Sequence, residues 1–212
     1  MKFGFLIFPG LEELDLVGPW EMVSMWSQFF QGPECLMVAE HADPVLCAKG
    51  MSIHPHVTFS ESLPLDYLLV PGGEGTQKEV QNETLIRFVA EQAKSCQAVL
   101  SVCTGAFILH RAGLLSGCRA TTHWSWLDRL RALGDVEVVE ERFVQDGKIW
   151  TAAGVSAGID LLLAFIASIA GEETAGKIQF GAEYFPNPKF YGKAYTSEKA
   201  PRYLKRMAGD HC

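Results

Sequence analysis

Residues 98–102, Ala-Val-Leu-Ser-Val, run straight into Cys103-Thr104-Gly105 and then into a segment, 106–112, with the composition of a helix that stops before Gly113. A strand that is small or apolar on both faces must be covered on both faces, which is the condition of a strand inside a parallel sheet. The turn after it is only three residues long, so the helix starts over the end of the strand it leaves. Cys103 stands at that joint.

The same rhythm runs along the rest of the chain. Residues 2–8 read as a buried strand, and a loop over 9–18 leads to an apolar-striped helix over 19–30, with Pro19 where a helix start tolerates proline. Residues 35–40 read as a strand, 47–58 as a pair of short strands, and 66–70 as a fully buried strand that stops at Pro71-Gly72-Gly73. Further on come a helix over 83–94, a strand over 118–122, a helix over 124–133 and a strand over 136–139. A hairpin over 143–150 turns about Asp146-Gly147, and helices over 156–170 and 172–184 finish the core. Strands alternating with helices predict an α/β fold, a mainly parallel central sheet with helices on both faces, in which sites gather at the carboxyl ends of strands. Three loops are expected there: 9–18, 71–75 and 103–105.

With 212 residues, 48% of them hydrophobic, the chain has the material for one substantial core. It is read as a single domain over 1–190, with 191–212 a tail or helix of the same domain. The net charge of −7 and the scattering of the basic residues leave no footprint for a phosphate backbone, so nucleic acid is discounted as a partner. The tail over 185–212 is too short for a DNA-binding helical domain. The first ten residues fit a buried strand better than a secretion leader. The longest apolar stretch, 154–170, is interrupted by Asp160, so no membrane span is expected. Cys35, Cys47, Cys96, Cys103, Cys118 and Cys212 form no C-x-x-C pair, which argues against a disulfide framework or a zinc knuckle and suits a reducing cytoplasm.

A cysteine at a helix N-terminus feels unpaired N–H groups and the positive end of the helix dipole, which favour the thiolate. The N–H groups of Thr104 and Gly105, with those of Gly72 and Gly73, are expected to face charge developing on a bound substrate. The competing reading makes Cys103 a small buried hydrophobe; its place at a strand-turn-helix joint favours the nucleophile. The G-x-S-x-G elbow is met in part, since residues 101–105 lack the first glycine. For a proton-transfer partner the first loop offers Glu12, Glu13 and Asp15. Asp15 is preferred, because an extended or turning backbone would aim it away from Leu14 and Leu16; a capping role at the next helix is the alternative. His123 is a second candidate base, or a histidine that ties neighbouring loops. His54 and His56 would share one strand face, but no third ligand is in sight, so no metal site is assigned. His110 reads as a surface residue. Trp20 and Trp26, at helical spacing, read as core, with a reshaped pocket entrance as the other possibility.

Taken together, Phe8-Pro9, Leu14-Asp15-Leu16-Val17-Gly18-Pro19, Val70-Pro71-Gly72-Gly73, Ser101-Val102-Cys103-Thr104-Gly105 and Ala120-Thr121-Thr122-His123-Trp124 resemble the DJ-1/PfpI superfamily. The likeness continues through residues 151–160 and Ala182-Glu183-Tyr184. It implies a flavodoxin-like sandwich, a homodimer with active sites near the subunit interface, and no metal or organic cofactor. By the same likeness Cys103 is the nucleophile, Asp15 the adjacent carboxylate and Thr104 their neighbour, with Gly72, Gly73, Gly105, His123 and Val155 around the substrate. Thr104 stands where the peptidase-like branch has His, and Asp15 where deglycase-like members carry Glu; both point to the isocyanide hydratase branch. That branch implies a small-molecule substrate, an isocyanide, hydrated to an N-substituted formamide. A thiol-based sensor and a glyoxalase or deglycase are the alternatives. Regulators with a related amino-terminal domain share the Thr-Thr-His-Trp segment. Val155, where a larger β-branched residue is expected, and Ala152 and Ala153, where glycines are common, imply a pocket of altered size.

Overall fold

The computed structural model describes residues 1–62, 64–186 and 189–209. Along the chain lie β1 (Lys2–Leu6), α1 (Glu13–Phe30), β2 (Glu34–Ala39), β3 (Val45–Leu46), β4 (Ser52–Ile53), β5 (Val57–Thr58) and β6 (Tyr67–Val70). Then come α2 (Thr76–Glu79), α3 (Glu83–Ser95), β7 (Ala98–Val102), α4 (Gly105–Arg111), β8 (Arg119–Ala120) and α5 (Leu127–Arg131). The remainder is β9 (Glu137–Val138), β10 (Phe143–Asp146), β11 (Ile149–Ala152), α6 (Ala157–Ala170), α7 (Glu172–Gly181) and α8 (Arg202–Gly209).

Seven strands form the central sheet in the order β10-β11-β7-β6-β1-β2-β5, parallel throughout except for the β10–β11 hairpin. The strands at its centre are those whose side chains bury on both faces: every residue of β6, β7 and β11 is buried, as are four of the five in β1. Helices α1, α6 and α7 pack together, as do α2, α3 and α4, and the two groups flank the sheet. The α/β sandwich expected from the alternation is therefore the fold. Gly158 lets α6 come down on the sheet: a Cβ there would lie 2.8 Å from Pro19 Cγ and 3.0 Å from Val102 Cγ2. Under α6 an aromatic cluster fills the core, with the Phe165 ring edge-on to Tyr67 at 5.2 Å and to Trp150 at 5.5 Å. Each such ring removes a large apolar area from water and adds about 1 kcal/mol in edge-to-face contact.

Several elements depart from the sequence reading. Helix α1 begins at Glu13, not at Pro19, so Pro19 lies inside it. Proline has no N–H to give the carbonyl four residues back, which is that of Asp15, and the ladder is broken there. The expected strand over 118–122 shortens to Arg119–Ala120, because the Thr121 N–H is taken by Thr151 Oγ1 at 2.9 Å and not by a neighbouring strand. The 47–58 region holds two short strands as expected, but their partners were unforeseen: β4 pairs with β3, and β5 joins the edge of the main sheet. The one-turn helix α2 was also unforeseen. His54 and His56 do not share a strand, since they fall between β4 and β5; His56 Nδ1 accepts the Met37 N–H at 2.9 Å and its ring stacks on Trp20. Trp26 is buried in the core. Among the described residues no helix is long and apolar enough to cross a membrane, and no three metal-ligating side chains cluster. The five described cysteines are free, while Cys212 lies outside the described residues.

Candidate functional site

The chain leaves β1 toward β2 on one side and returns to place β6 on the other, so the order reverses between β1 and β6. Crevices form at the carboxyl ends of strands at such a reversal. The loops after β1, β6 and β7 meet there.

Cys103 occupies the turn from β7 to α4 with φ +56, a left-handed conformation that costs a non-glycine residue about 1 kcal/mol or more. The surrounding structure pins it. Its N–H donates to Ala153 O at 2.8 Å and to Ala152 O at 3.1 Å, and its carbonyl accepts from Thr122 Oγ1 at 2.7 Å. Thr122 was not singled out from the sequence, although it lies in the Thr-Thr-His-Trp segment. Gly105 follows because the next turn passes against backbone: a Cβ there would collide with Val70 O and lie 2.8 Å from Pro71 O. The N–H groups of Thr104 and Val155 favour charge on the sulfur, while Thr104 Oγ1 accepts the Gly73 N–H at 3.0 Å and lies 3.0 Å from Thr76 Oγ1. Val155 has φ +45, an outlier for a β-branched residue, which its place at the entry to α6 imposes.

Asp15 reaches the sulfur from the first turn of α1, neither from an extended loop nor as a cap. It is fully buried, and its Oδ2 accepts the Gly72 N–H at 2.9 Å. Asp15 Oδ1 is buried with no hydrogen-bond partner among the described residues, and the Cys103 side chain lies close enough to bear on the carboxyl's titration. The other two acids of this segment point elsewhere. Glu12 pairs with Lys49, and Glu13 Oε1 accepts the Lys49 N–H at 2.6 Å.

Two expectations need correction. The Gly72 and Gly73 N–H groups do not face a substrate. The first is taken by Asp15, and the second donates to Thr104 Oγ1 at 3.0 Å, so both glycines serve to build the turn. A Cβ on Gly72 would lie 2.5 Å from Thr104 N and 3.0 Å from Asp15 Oδ2. Gly105 likewise serves close packing. The second correction concerns charge. Burial, then the Asp15 carboxylate, push the Cys103 thiol up to about 12 against its N–H donors, so the turn alone does not acidify it. Burial also pushes the Asp15 carboxyl up to about 8, against the pull of the Gly72 N–H. The two groups titrate as a pair that sheds its first proton near pH 8. Alkylation of Cys103 by iodoacetamide is accordingly expected to be slow at pH 6 and to go on climbing through and above pH 8, with no plateau in the ordinary thiol range. A rate already at its plateau at pH 6 would refute a buried, coupled pair.

His123 does not hydrogen-bond Cys103 among the described residues. Its Nδ1 lies 2.7 Å from Ser125 Oγ, and its Cδ2 edge fills the space a Cβ of Gly154 would need. Burial lowers its pKa, so the ring is neutral at pH 7. It ties the 121–125 segment to the turn that carries Val155, in keeping with the structural reading. His110 pairs with Asp135.

A strained cysteine between strand and helix, beside a buried carboxylate delivered from the first turn of α1, defines a flavodoxin-like sandwich with a cysteine–acid pair. The chain belongs to the DJ-1/PfpI family, whose model matches residues 1–168. It is 37% identical over 190 residues to an isonitrile hydratase of Pseudomonas putida, covering 90% of this chain and 81% of that protein. A deglycase of Pyrococcus horikoshii is 27% identical over 161 residues, 75% of this chain and 93% of the other. Among solved structures, a ThiJ/PfpI family protein from Pseudomonas syringae superposes with a TM-score of 0.85 at 33% identity, over 99% of this chain and 85% of the other.

Proposed function

We propose that this protein is an isocyanide hydratase, converting R–N≡C and water to the formamide R–NH–CHO through a thioimidate on Cys103. The observation that carries this reading is the buried Cys103–Asp15 pair followed by Thr104, in a chain similar over most of its length to an isonitrile hydratase. The terminal carbon of an isocyanide accepts a nucleophile but must then gain a proton on that same carbon. An acid beside the sulfur suits this step. With its carboxyl raised to about 8, Asp15 is mostly protonated at neutral pH.

In the first half-reaction Asp15 gives its proton to the isocyanide carbon as the Cys103 sulfur bonds to that carbon and passes its own proton to the carboxylate, giving Cys103–S–CH=N–R with Asp15 protonated again. In the second, Asp15 protonates the nitrogen as water adds to the thioimidate carbon and returns a proton to the carboxylate. The resulting Cys103–S–CH(OH)–NH–R loses its hydroxyl proton to the departing sulfur as the C–S bond breaks, and R–NH–CHO departs with the thiol restored. The N–H groups of Thr104 and Val155 hold the sulfur's charge whenever the C–S bond is open. No cofactor is needed for this balance. The small-molecule substrate is the only partner the reaction requires, and a cytoplasmic setting keeps the thiol reduced. A homodimer fits the exposed Leu14 and Val17, 39% and 38% accessible on the helix that carries Asp15.

No observation favours the sensor reading, because a buried thiol raised to about 12 is a poor target for peroxide. The test is direct: incubate the protein with a para-substituted aryl isocyanide and follow its loss and the formamide's appearance by chromatography. Turnover is expected at pH 8; none above the uncatalysed rate at pH 7 to 9 refutes the proposal, and lactate from methylglyoxal without glutathione would replace it with a glyoxalase.

A further inference from the structure

The geometry points to a second small-molecule site, for a carboxylate with a ring about the size of benzene, in the cavity between α2, α4 and α5. The cavity encloses about 170 Å³. An apolar cavity of about 150 Å³ accommodates one benzene ring. Val80, Leu133, Phe107 and Trp126 give it an apolar and aromatic part, the last two rings edge-on at 5.7 Å, and Thr76, Gln77 and Gln81 add uncharged polar groups. No acidic residue lines it.

The cation is Arg129. Its guanidinium lies over the Trp126 ring at 5.0 Å and the Phe107 ring at 5.9 Å. With its flat face held by the rings, its N–H edge remains for a planar, bidentate acceptor. In a chain of net charge −7, cations at a cavity rim ordinarily find an acid. Its neighbour does: Arg111 Nη2 reaches Glu83 Oε1 at 2.9 Å. Arg129 makes no ion pair or hydrogen bond among the described residues. A carboxylate on a ring seated between Phe107 and Leu133 supplies what is missing. Gly73 and Thr104 form part of the lining. The Thr104 hydroxyl is bonded to Gly73 and Thr76, so this space is separated from the sulfur by that hydroxyl and is distinct from the place of the isocyanide.

The experiment is calorimetric titration of the full chain with benzoate, benzamide and acetate. Benzoate is expected to bind in the millimolar range or tighter. Benzamide, which keeps the ring without the charge, and acetate, which keeps the charge without the ring, should each bind at least about tenfold more weakly. Arg129→Gln, an exposed change that leaves the core intact, should lower benzoate affinity by about tenfold or more, and Cys103→Ala should leave it unchanged. Equal benzoate affinity in the wild type and Arg129→Gln, parity of benzoate with benzamide or acetate, or no heat at 10-millimolar-scale benzoate would each overturn the assignment. Because binding is read without turnover, a protein that fails to hydrate isocyanides still decides this point.

Discussion

Asp15→Asn is expected to slow isocyanide hydration at least about a hundredfold while stabilising the fold by an amount that grows with pH. The sign follows from the two states of one carboxyl group. In the unfolded chain it ionises at its ordinary value of 3.8, and in the folded protein burial pushes it up to about 8. Between those values the native protein holds a proton that the unfolded chain has released, so raising the pH favours unfolding by about 1.4 kcal/mol per unit. Asparagine is neutral in both states and escapes this loss. It also keeps an oxygen for the Gly72 N–H. Relative to the wild type, the variant should gain of order 4 kcal/mol between pH 4 and pH 7 and level above about 8. Urea unfolding of both proteins at pH 5, 6, 7 and 8 measures it. A gap that does not change with pH would show that Asp15 is not a buried neutral acid.

Cys103→Ala and Cys103→Ser are each expected to lower hydration by at least about a thousandfold. Serine tests the chemistry apart from the shape. Its oxygen fits the turn, but a hydroxyl is far harder to ionise than a thiol, and burial beside Asp15 makes ionisation harder still. Rapid acid quench of the wild type with excess isocyanide should reveal an intermediate heavier by the intact isocyanide, localised to the peptide holding Cys103. Turnover in Cys103→Ala within tenfold of the wild type would remove the covalent route altogether.

The joint at Cys103 could be read from the sequence because each part of it is locally determined. A five-residue apolar strand, a glycine two residues after the cysteine and a short helix ended by Gly113 leave the backbone few alternatives. Asp15 was identified as a candidate but its setting was misread. Proline is common at helix starts, so Pro19 suggested the boundary. The helix instead begins six residues earlier, at Glu13, because Gly72 bonds both flanks of this first turn, through Glu12 N–H and Asp15 Oδ2. Those bonds cross 57 or more residues of chain, and local pattern does not register them. The charge state of the thiol was hidden for the same reason. A dipole argument sees only α4, whereas the titration is governed by how deeply the sulfur is packed and by which acid packs beside it. The cavity at Arg129 had no sequence signal, since Phe107, Trp126 and Leu133 come from segments that converge only in the fold.

The proline inside α1 has a mechanical outcome. With the ladder cut at the Asp15 carbonyl, the first turn is moored to the glycine loop after β6, while the rest of the rod is moored to α6 and α7. Shear applied to the far end of α1, by a docking neighbour or by drift in its surface residues, bends the rod at Pro19 and leaves the carboxyl–sulfur spacing as it was.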